Sequence, residues 1–173
     1  METARGDRLI LSLLVALVAA FSLVVVDTMR VRIVEQGDTA PSFSIRTDSG
    51  KTITPKDFGG KLLVLNFWAT WCQPCVKETP SLVALSRQLG RQGLVVLGVS
   101  IDSDEKAYRA FIQRFGVRFE TFRDPESNLS ADFGTFKVPE TYVIDRTGKV
   151  IQKIIGDRDW ATPEAIAELQ KLL

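Results

Sequence analysis

Charge disappears from this chain between Leu9 and Val26, an apolar run of 18 residues broken only by Ser12 and Ser22. A helix of that length covers about 27 Å, close to the roughly 30 Å hydrocarbon core of a bilayer. Arg5 and Arg8 precede the run, as a cytoplasmic start requires, while Glu2, Asp7, Arg30 and Arg32 blur the asymmetry. Three readings are open. A cleaved signal peptide would use Val18-Ala19-Ala20 as its small-residue site, but it has no need of the apolar continuation over residues 21–26. A buried core helix would show an amphipathic pattern, and this run has none. The pattern favours an uncleaved signal-anchor. The chain then divides into a cytoplasmic N-terminus (residues 1–8), a transmembrane helix (9–26), a stalk (27–38) and one domain (39–173). With anchor or cleaved signal alike, the domain is expected to face the periplasm or cell exterior, where dithiols can be oxidised.

Past residue 38 the pattern becomes that of a folded domain. Ala40-Pro41-Ser42-Phe43-Ser44-Ile45 and Lys51-Thr52-Ile53-Thr54 alternate around Asp48-Ser49-Gly50, which reads as an N-terminal β-hairpin. After Gly59-Gly60, residues 62–67 are too continuously apolar for a half-exposed strand and predict a central one covered on both faces. Residues 73–89 read as a helix ending at Gly90. A buried strand over 94–100 follows, then a helix over 105–115 closed by Gly116, a short strand over 120–122 and a short helix over 127–133. Residues 141–144 and 149–155 are strands joined by the turn Asp145-Arg146-Thr147-Gly148. The last helix has Thr162 as N-cap and Pro163 at its first position, with Ile166, Leu169 and Leu173 on its apolar face. The early βαβ order predicts parallel strands with helices on both faces, and the late hairpin adds an antiparallel edge. The expected fold is a three-layer α/β/α domain with a mixed central sheet.

Composition then narrows the chemistry. About 140 residues remain for the domain, enough to bury a core without staples. A net charge of +1 gives no support for a nucleic-acid partner. The chain has no histidine, which removes the usual general base and the commonest metal ligand. Both cysteines lie in Trp71-Cys72-Gln73-Pro74-Cys75, directly after the central strand. With a helix starting near Gln73, Cys72 meets unpaired N–H groups and the positive end of the helix dipole, which stabilise a thiolate. Pro74 fits the first turn, where a missing N–H costs nothing. Cys75, one turn further in, is expected to face the interior. Cys72 is therefore read as the attacking sulfur and Cys75 as the resolving one. A zinc site is short of ligands here, and a purely structural disulfide would close a loop too short to stabilise much. No metal or cofactor is expected. Trp68 reads as core, and Trp71 as part of a partner-contacting surface.

The segment Asn66-Phe67-Trp68-Ala69-Thr70-Trp71-Cys72-Gln73-Pro74-Cys75, with Pro80 in the following helix, resembles the thioredoxin-like superfamily. Within it, the chain is similar to the TlpA/ResA/CcmG group of membrane-anchored extracytoplasmic thiol-disulfide oxidoreductases. The likeness runs in order over residues 37–173, including Ala40-Pro41-Ser42-Phe43 and Val138-Pro139-Glu140-Thr141-Tyr142-Val143-Ile144-Asp145. The resemblance implies a thioredoxin-like fold with Pro139 as a cis-proline beside the dithiol, leaving the Val138 backbone to pair with an extended substrate. Glu78, three residues after Cys75, shares its helix face, and the resemblance gives it a part in proton handling. A solvated glutamate paired with Lys77 or Arg87 is the alternative.

Asn66 departs from cytoplasmic thioredoxin, whose buried aspartate stands there, so the carboxylate function falls to Glu78 or Glu140. Glu140 either lines the groove or is plainly exposed. Trp71, Gln73, Pro74, Val138, Pro139 and Glu140 are the residues expected to meet substrate. The implied function is a reductase that draws electrons from a membrane donor of thiol-disulfide type. It passes them to disulfide-bearing extracytoplasmic proteins such as apocytochrome c. Two other readings stand beside it. A thiol peroxidase needs a threonine three residues before its cysteine, where this chain has Ala69. A non-catalytic apoprotein- or haem-binding module would use the same groove, without a histidine to ligate iron.

Overall fold

The structure, a computed structural model, describes the backbone of residues 3–28 and 33–173 and the side chains of residues 11–25 and 33–173. The chain divides after Arg32 into two compact units. In the first, the described residues form α1 (Thr3–Thr28), whose described side chains are apolar apart from Ser12 and Ser22 and exposed apart from the half-buried Val25, with Leu17 at 70% and Leu23 at 72%. Among the described residues no helix is long and apolar enough to cross a membrane. The side chains described in α1 cover about 22 Å at 1.5 Å per residue. The expected span of residues 9–26 reaches past them at both ends, and residues 29–32 of the expected stalk lie outside the described residues.

The second unit is the α/β domain. Its elements are β1 (Ile45–Arg46), β2 (Thr52–Ile53), β3 (Leu62–Trp68), α2 (Gln73–Leu89), β4 (Leu94–Ser100), α3 (Glu105–Phe115), β5 (Glu120–Arg123), α4 (Asn128–Phe133), β6 (Glu140–Asp145), β7 (Val150–Ile155) and α5 (Pro163–Gln170). Five strands form one sheet in the order β5-β4-β3-β6-β7. β3 pairs parallel with β4 and antiparallel with β6, so the sheet is mixed and β3 is central. All seven residues of β3 are buried, which is why its sequence does not alternate.

Alternate side chains of β3 serve opposite faces. Leu63, Leu65 and Phe67 join Phe58, Leu129 and Phe133 on one side. Leu62 and Val64 meet Leu82, Leu85 and Leu89 of α2 and Ile166 and Leu169 of α5 on the other. Each such fully buried side chain stabilises the fold by about 1.5–3 kcal/mol relative to exposure.

The expected N-terminal hairpin is reduced to two residues a side, with Ile45 opposite Ile53. The segment before it lies against the distant hairpin instead: Thr39 bridges Lys149, and the Ala40 N–H bonds Gly148 O at 2.9 Å. Residues 33–38, expected in the stalk, also pack on the domain. Val34 is fully buried, its N–H bonds Phe133 O at 3.0 Å, and Val150 N–H bonds Asp38 O at 2.9 Å. Gly90 does not stop α2 in a left-handed conformation. The chain continues through a 3₁₀ turn, and Gly93 takes the left-handed position at φ 106°. Thr162 caps α5 as expected, accepting from the Ala165 N–H at 3.2 Å.

Candidate active site

The link from β3 to α2 is set by Asp102, a buried carboxylate just beyond β4. It accepts from the Thr70 N–H at 2.9 Å, the Thr70 hydroxyl at 2.6 Å and the Ser100 hydroxyl at 2.6 Å. These bonds turn the chain from the sheet into the helix, so that Trp71 stands 65% exposed and Cys72 becomes the N-cap of α2. Cys72 Sγ accepts from the Cys75 N–H at 3.2 Å, satisfying one of the helix's unpaired donors. Trp68 packs in the core against Phe111 and Tyr108, with ring centroids 4.6 and 5.8 Å away.

Cys72 and Cys75 are joined in a disulfide, with Cα atoms 5.2 Å apart. Cys72 is the more accessible at 6%, against 1% for Cys75. The Val138–Pro139 peptide is cis. Val138 O lies 3.4 Å from Cys72 Sγ. A disulfide sulfur carries no proton, so this is a close contact in the oxidised state; a thiol at Cys72 would have an acceptor in place. Beside it runs a groove of about 270 Å³ lined by Ile101, Ala131, Thr135, Phe136 and Val138. Phe136, 71% exposed, and Trp71 are the two large apolar side chains held in water near the dithiol.

Glu78 is 2% exposed, one turn along α2 from Cys75. Its Oε1 accepts from Trp160 Nε1 at 2.6 Å and from the Arg158 N–H at 3.3 Å, and its Oε2 accepts from Asn66 Nδ2 at 3.2 Å. The Asn66 amide also donates to Thr141 Oγ1 at 2.9 Å. Burial pushes the Glu78 carboxyl above its ordinary range. The bonds from Trp160, Arg158 and Asn66 oppose the rise without cancelling it, and the charge of Asp157 adds to it. The alternative of a solvated glutamate paired with Lys77 is not what the structure has: Lys77 pairs with Asp157 at 2.8 Å.

Glu140 neither lines the groove nor lies exposed. It is 4% exposed and points to the opposite face of the sheet, accepting from the Tyr142 hydroxyl at 2.7 Å with Lys153 Nζ at 3.3 Å. Cross-strand pairing with Phe67 puts it there. Gln73 and Pro74 lie in the first turn of α2, between the cysteines. Sequence reasoning missed Trp160, the Arg158 N–H, Thr141 and Asp102. A lone tryptophan just before the last helix was the only local signal for the first of these.

Residues 36–153 match the model of the AhpC/TSA family. A thiol-disulfide oxidoreductase ResA of Bacillus thuringiensis subsp. konkukian is 34% identical over 137 residues, covering 79% of this chain and 78% of its own. The thioredoxin-like protein YneN of Bacillus subtilis is 37% identical over 124 residues, covering 70% and 71%. Among solved structures, a thiol:disulfide interchange protein of the thioredoxin family from Chlorobium tepidum TLS superposes with TM-score 0.63 at 25% identity, over 78% of this chain and 97% of that one. StoA from Bacillus subtilis shares the fold at 20% identity, with TM-score 0.63 over 77% and 96%. With a closed Cys-x-x-Cys pair at a helix start, a cis-proline against it and a buried glutamate one turn on, the chain belongs to the AhpC/TSA family, among its thioredoxin-like, ResA-type thiol-disulfide oxidoreductases.

Proposed function

We propose that this oxidoreductase works as a reductase of extracytoplasmic proteins, apocytochrome c among them, held to the membrane by α1 and recharged by a membrane thiol-disulfide donor. The observation that carries the reductase reading is the buried Glu78 within one turn of Cys75, in a site without histidine. A carboxylate whose proton affinity is raised by burial is a better-matched base for a thiol than an ordinary one. Anchoring is supported by the uncharged run of residues 9–26 and by the exposed apolar side chains of α1.

The steps begin from the reduced protein. The Cys72 thiolate attacks one sulfur of the substrate disulfide, whose S–S bond breaks, and the departing thiolate takes a proton from solvent. Cys75 gives its proton to the Glu78 carboxylate and attacks Cys72 Sγ. The mixed disulfide breaks, the second substrate thiolate leaves and takes up a proton from solvent, Glu78 gives the proton it accepted back to solvent, and two electrons have passed to the substrate. The protein is left with the Cys72–Cys75 disulfide. A dithiol donor reverses the exchange. The groove beside Val138, lined by Phe136 among others, together with the exposed Trp71 next to Cys72, is the surface on which an extended substrate segment docks.

Three measurements test this reading. The full-length chain carrying Cys75→Ser should accumulate mixed disulfides through Cys72 with extracytoplasmic proteins, seen on non-reducing gels; an absence of adducts counts against it. Equilibration of the Cys72–Cys75 couple with glutathione should give a potential below the glutathione poise, whereas one well above it would make the protein an oxidant. Labelling of the reduced thiols in intact cells by a membrane-impermeant alkylating reagent tests the location.

A further inference from the structure

A groove of about 390 Å³ lies between α2 and residues 157–161, lined by Lys77, Glu78, Pro80, Ser81, Asp157 and Arg158. Glu78 is its one deeply buried acid, and the loop that walls the groove supplies two of the three donors that hold it. The loop is itself pinned to α2. Trp160 N–H donates to Ser81 Oγ at 3.0 Å, and the Ser81 hydroxyl donates to Glu78 O at 2.7 Å. The Trp160 ring is fully buried among Leu62, Val64, Leu82 and Ile166, so the indole has little freedom to swing away. Arg158 presents its backbone N–H to Glu78; its guanidinium is turned to Glu168 of α5 and lies 4.9 Å over the Trp160 ring.

We propose that Trp160 is the positioning residue of the site: its indole N–H, held on the 157–161 loop, orients the Glu78 carboxylate and sets the pH range over which that group takes the proton of the resolving thiol. This rests on the reading of Glu78 as the base for Cys75. The charged groups around Glu78 are few. Asp157, Arg158 and Asp159 stand on the loop, with Asp157 paired to Lys77 of α2 and Arg158 paired to Glu168. From the sheet come Asn66 and Thr141, neither of which titrates. The indole N–H is thus the shortest contact to the carboxylate and the one that sequence places farthest from it, 82 residues away. A hydrogen bond to the ionised form favours that form, so removing it raises the pH at which the proton leaves.

The test uses the reduced full-length chain in detergent, following the rate of thiol alkylation against pH together with the indole 15N–1H resonances. The chain has three tryptophans, so Trp68 and Trp71 serve as internal controls. The Trp160 resonance should titrate with the same midpoint as the thiol profile. Trp160→Phe should move that midpoint upward by about one pH unit. Glu78→Gln should abolish the indole titration and the inflection in the thiol profile, and adding Trp160→Phe to it should change the profile no further. If Glu78→Gln alters the profile while Trp160→Phe leaves it in place and the indole is flat, the positioning role is wrong and the Glu78 reading stands. If Glu78→Gln leaves the profile unchanged, that reading fails and takes the proposal with it. Should Trp160→Phe not fold, the indole titration of the native chain and its loss in Glu78→Gln decide the matter.

Discussion

Asn66 donates from one amide nitrogen to Glu78 at 3.2 Å and to Thr141 at 2.9 Å, joining the central strand to the thiol-bearing helix and to the strand that follows the cis-proline. Three segments that each hold one part of the dithiol site are thereby tied at a single buried amide. An aspartate at this position would add a second buried acid beside Glu78; asparagine supplies a donor instead, and the site keeps one carboxylate to titrate.

Replacing Glu78 by glutamine should stabilise the protein at neutral pH. The folded-state carboxyl sits above its unfolded value because burial disfavours the charge, so its stability contribution is fully present below the unfolded pKa and is lost as pH rises through the folded one. Denaturant midpoints of the native chain and Glu78→Gln should therefore coincide most closely near pH 4 and separate toward pH 8, with the variant the more stable. A difference that runs the other way would contradict the raised carboxyl.

Asp102→Ala leaves the Thr70 N–H, the Thr70 hydroxyl and the Ser100 hydroxyl without their shared acceptor in a buried place. The expected loss is about 3 kcal/mol in urea unfolding, since each charged hydrogen bond is worth roughly 1.5–3 kcal/mol and stranded donors cost more. The same change should slow disulfide exchange, because the turn that presents Trp71 and Cys72 loses its anchor.

Trp71→Ala and Phe136→Ser remove apolar surface that is already in water, 65% and 71% exposed. Stability should change by no more than about 0.5 kcal/mol. The second-order rate with a disulfide-bearing protein should fall about tenfold in either variant, while the rate with a small aliphatic disulfide stays within about twofold, an expectation drawn from the concentration of binding energy in exposed aromatic anchors. Equal losses with both substrates would place the two side chains outside the docking surface.

The turn between β6 and β7 offers an acid limb. Asp145 accepts from the Thr147 hydroxyl at 2.6 Å, the Thr147 N–H at 2.8 Å and the Lys149 N–H at 3.0 Å. Partial burial raises its pKa, and these bonds with the Lys149 charge outweigh that, so the carboxyl ends below its ordinary value. Its contribution is present above the unfolded pKa and is lost as pH falls through the folded one. Asp145→Asn should thus cost stability at pH 7, and the gap should close as the pH falls below the ordinary aspartate value of about 3.9 and through the lowered folded one. Thermal unfolding across that range checks it.

Local pattern carried most of the fold. The buried strand over 62–67, which runs one residue further to Trp68, the helix that starts at Gln73 and the Asp145–Gly148 turn were all legible, because periodicity, caps and turn residues act over a few positions. The places where the reading went astray are those decided at long range. Residues 33–38 look like a stalk in sequence, yet Val34 and Gly37 find partners at Phe133 and Val150, about a hundred residues on. The N-terminal hairpin pairs only two residues a side, and the segment before it is drawn to the β6–β7 turn, where the Ala40 N–H bonds Gly148 O.

The sequence by itself determined the chemistry available: two thiols at the start of a helix, no histidine, and carboxylates as the only candidate proton carriers. The resemblance favoured Glu78 and set Glu140 among the substrate contacts, but the carboxylate function stayed open between the two. Tertiary structure alone separated them. Glu140 and Thr141 are consecutive, and in a strand consecutive side chains take opposite faces, so Thr141 meets Asn66 beside Glu78 while Glu140 is turned across the sheet to Tyr142 and Lys153. Glu78 in turn meets Trp160 only because α2 and the approach to α5 are packed side by side on one face of the sheet, a contact that no local pattern contains.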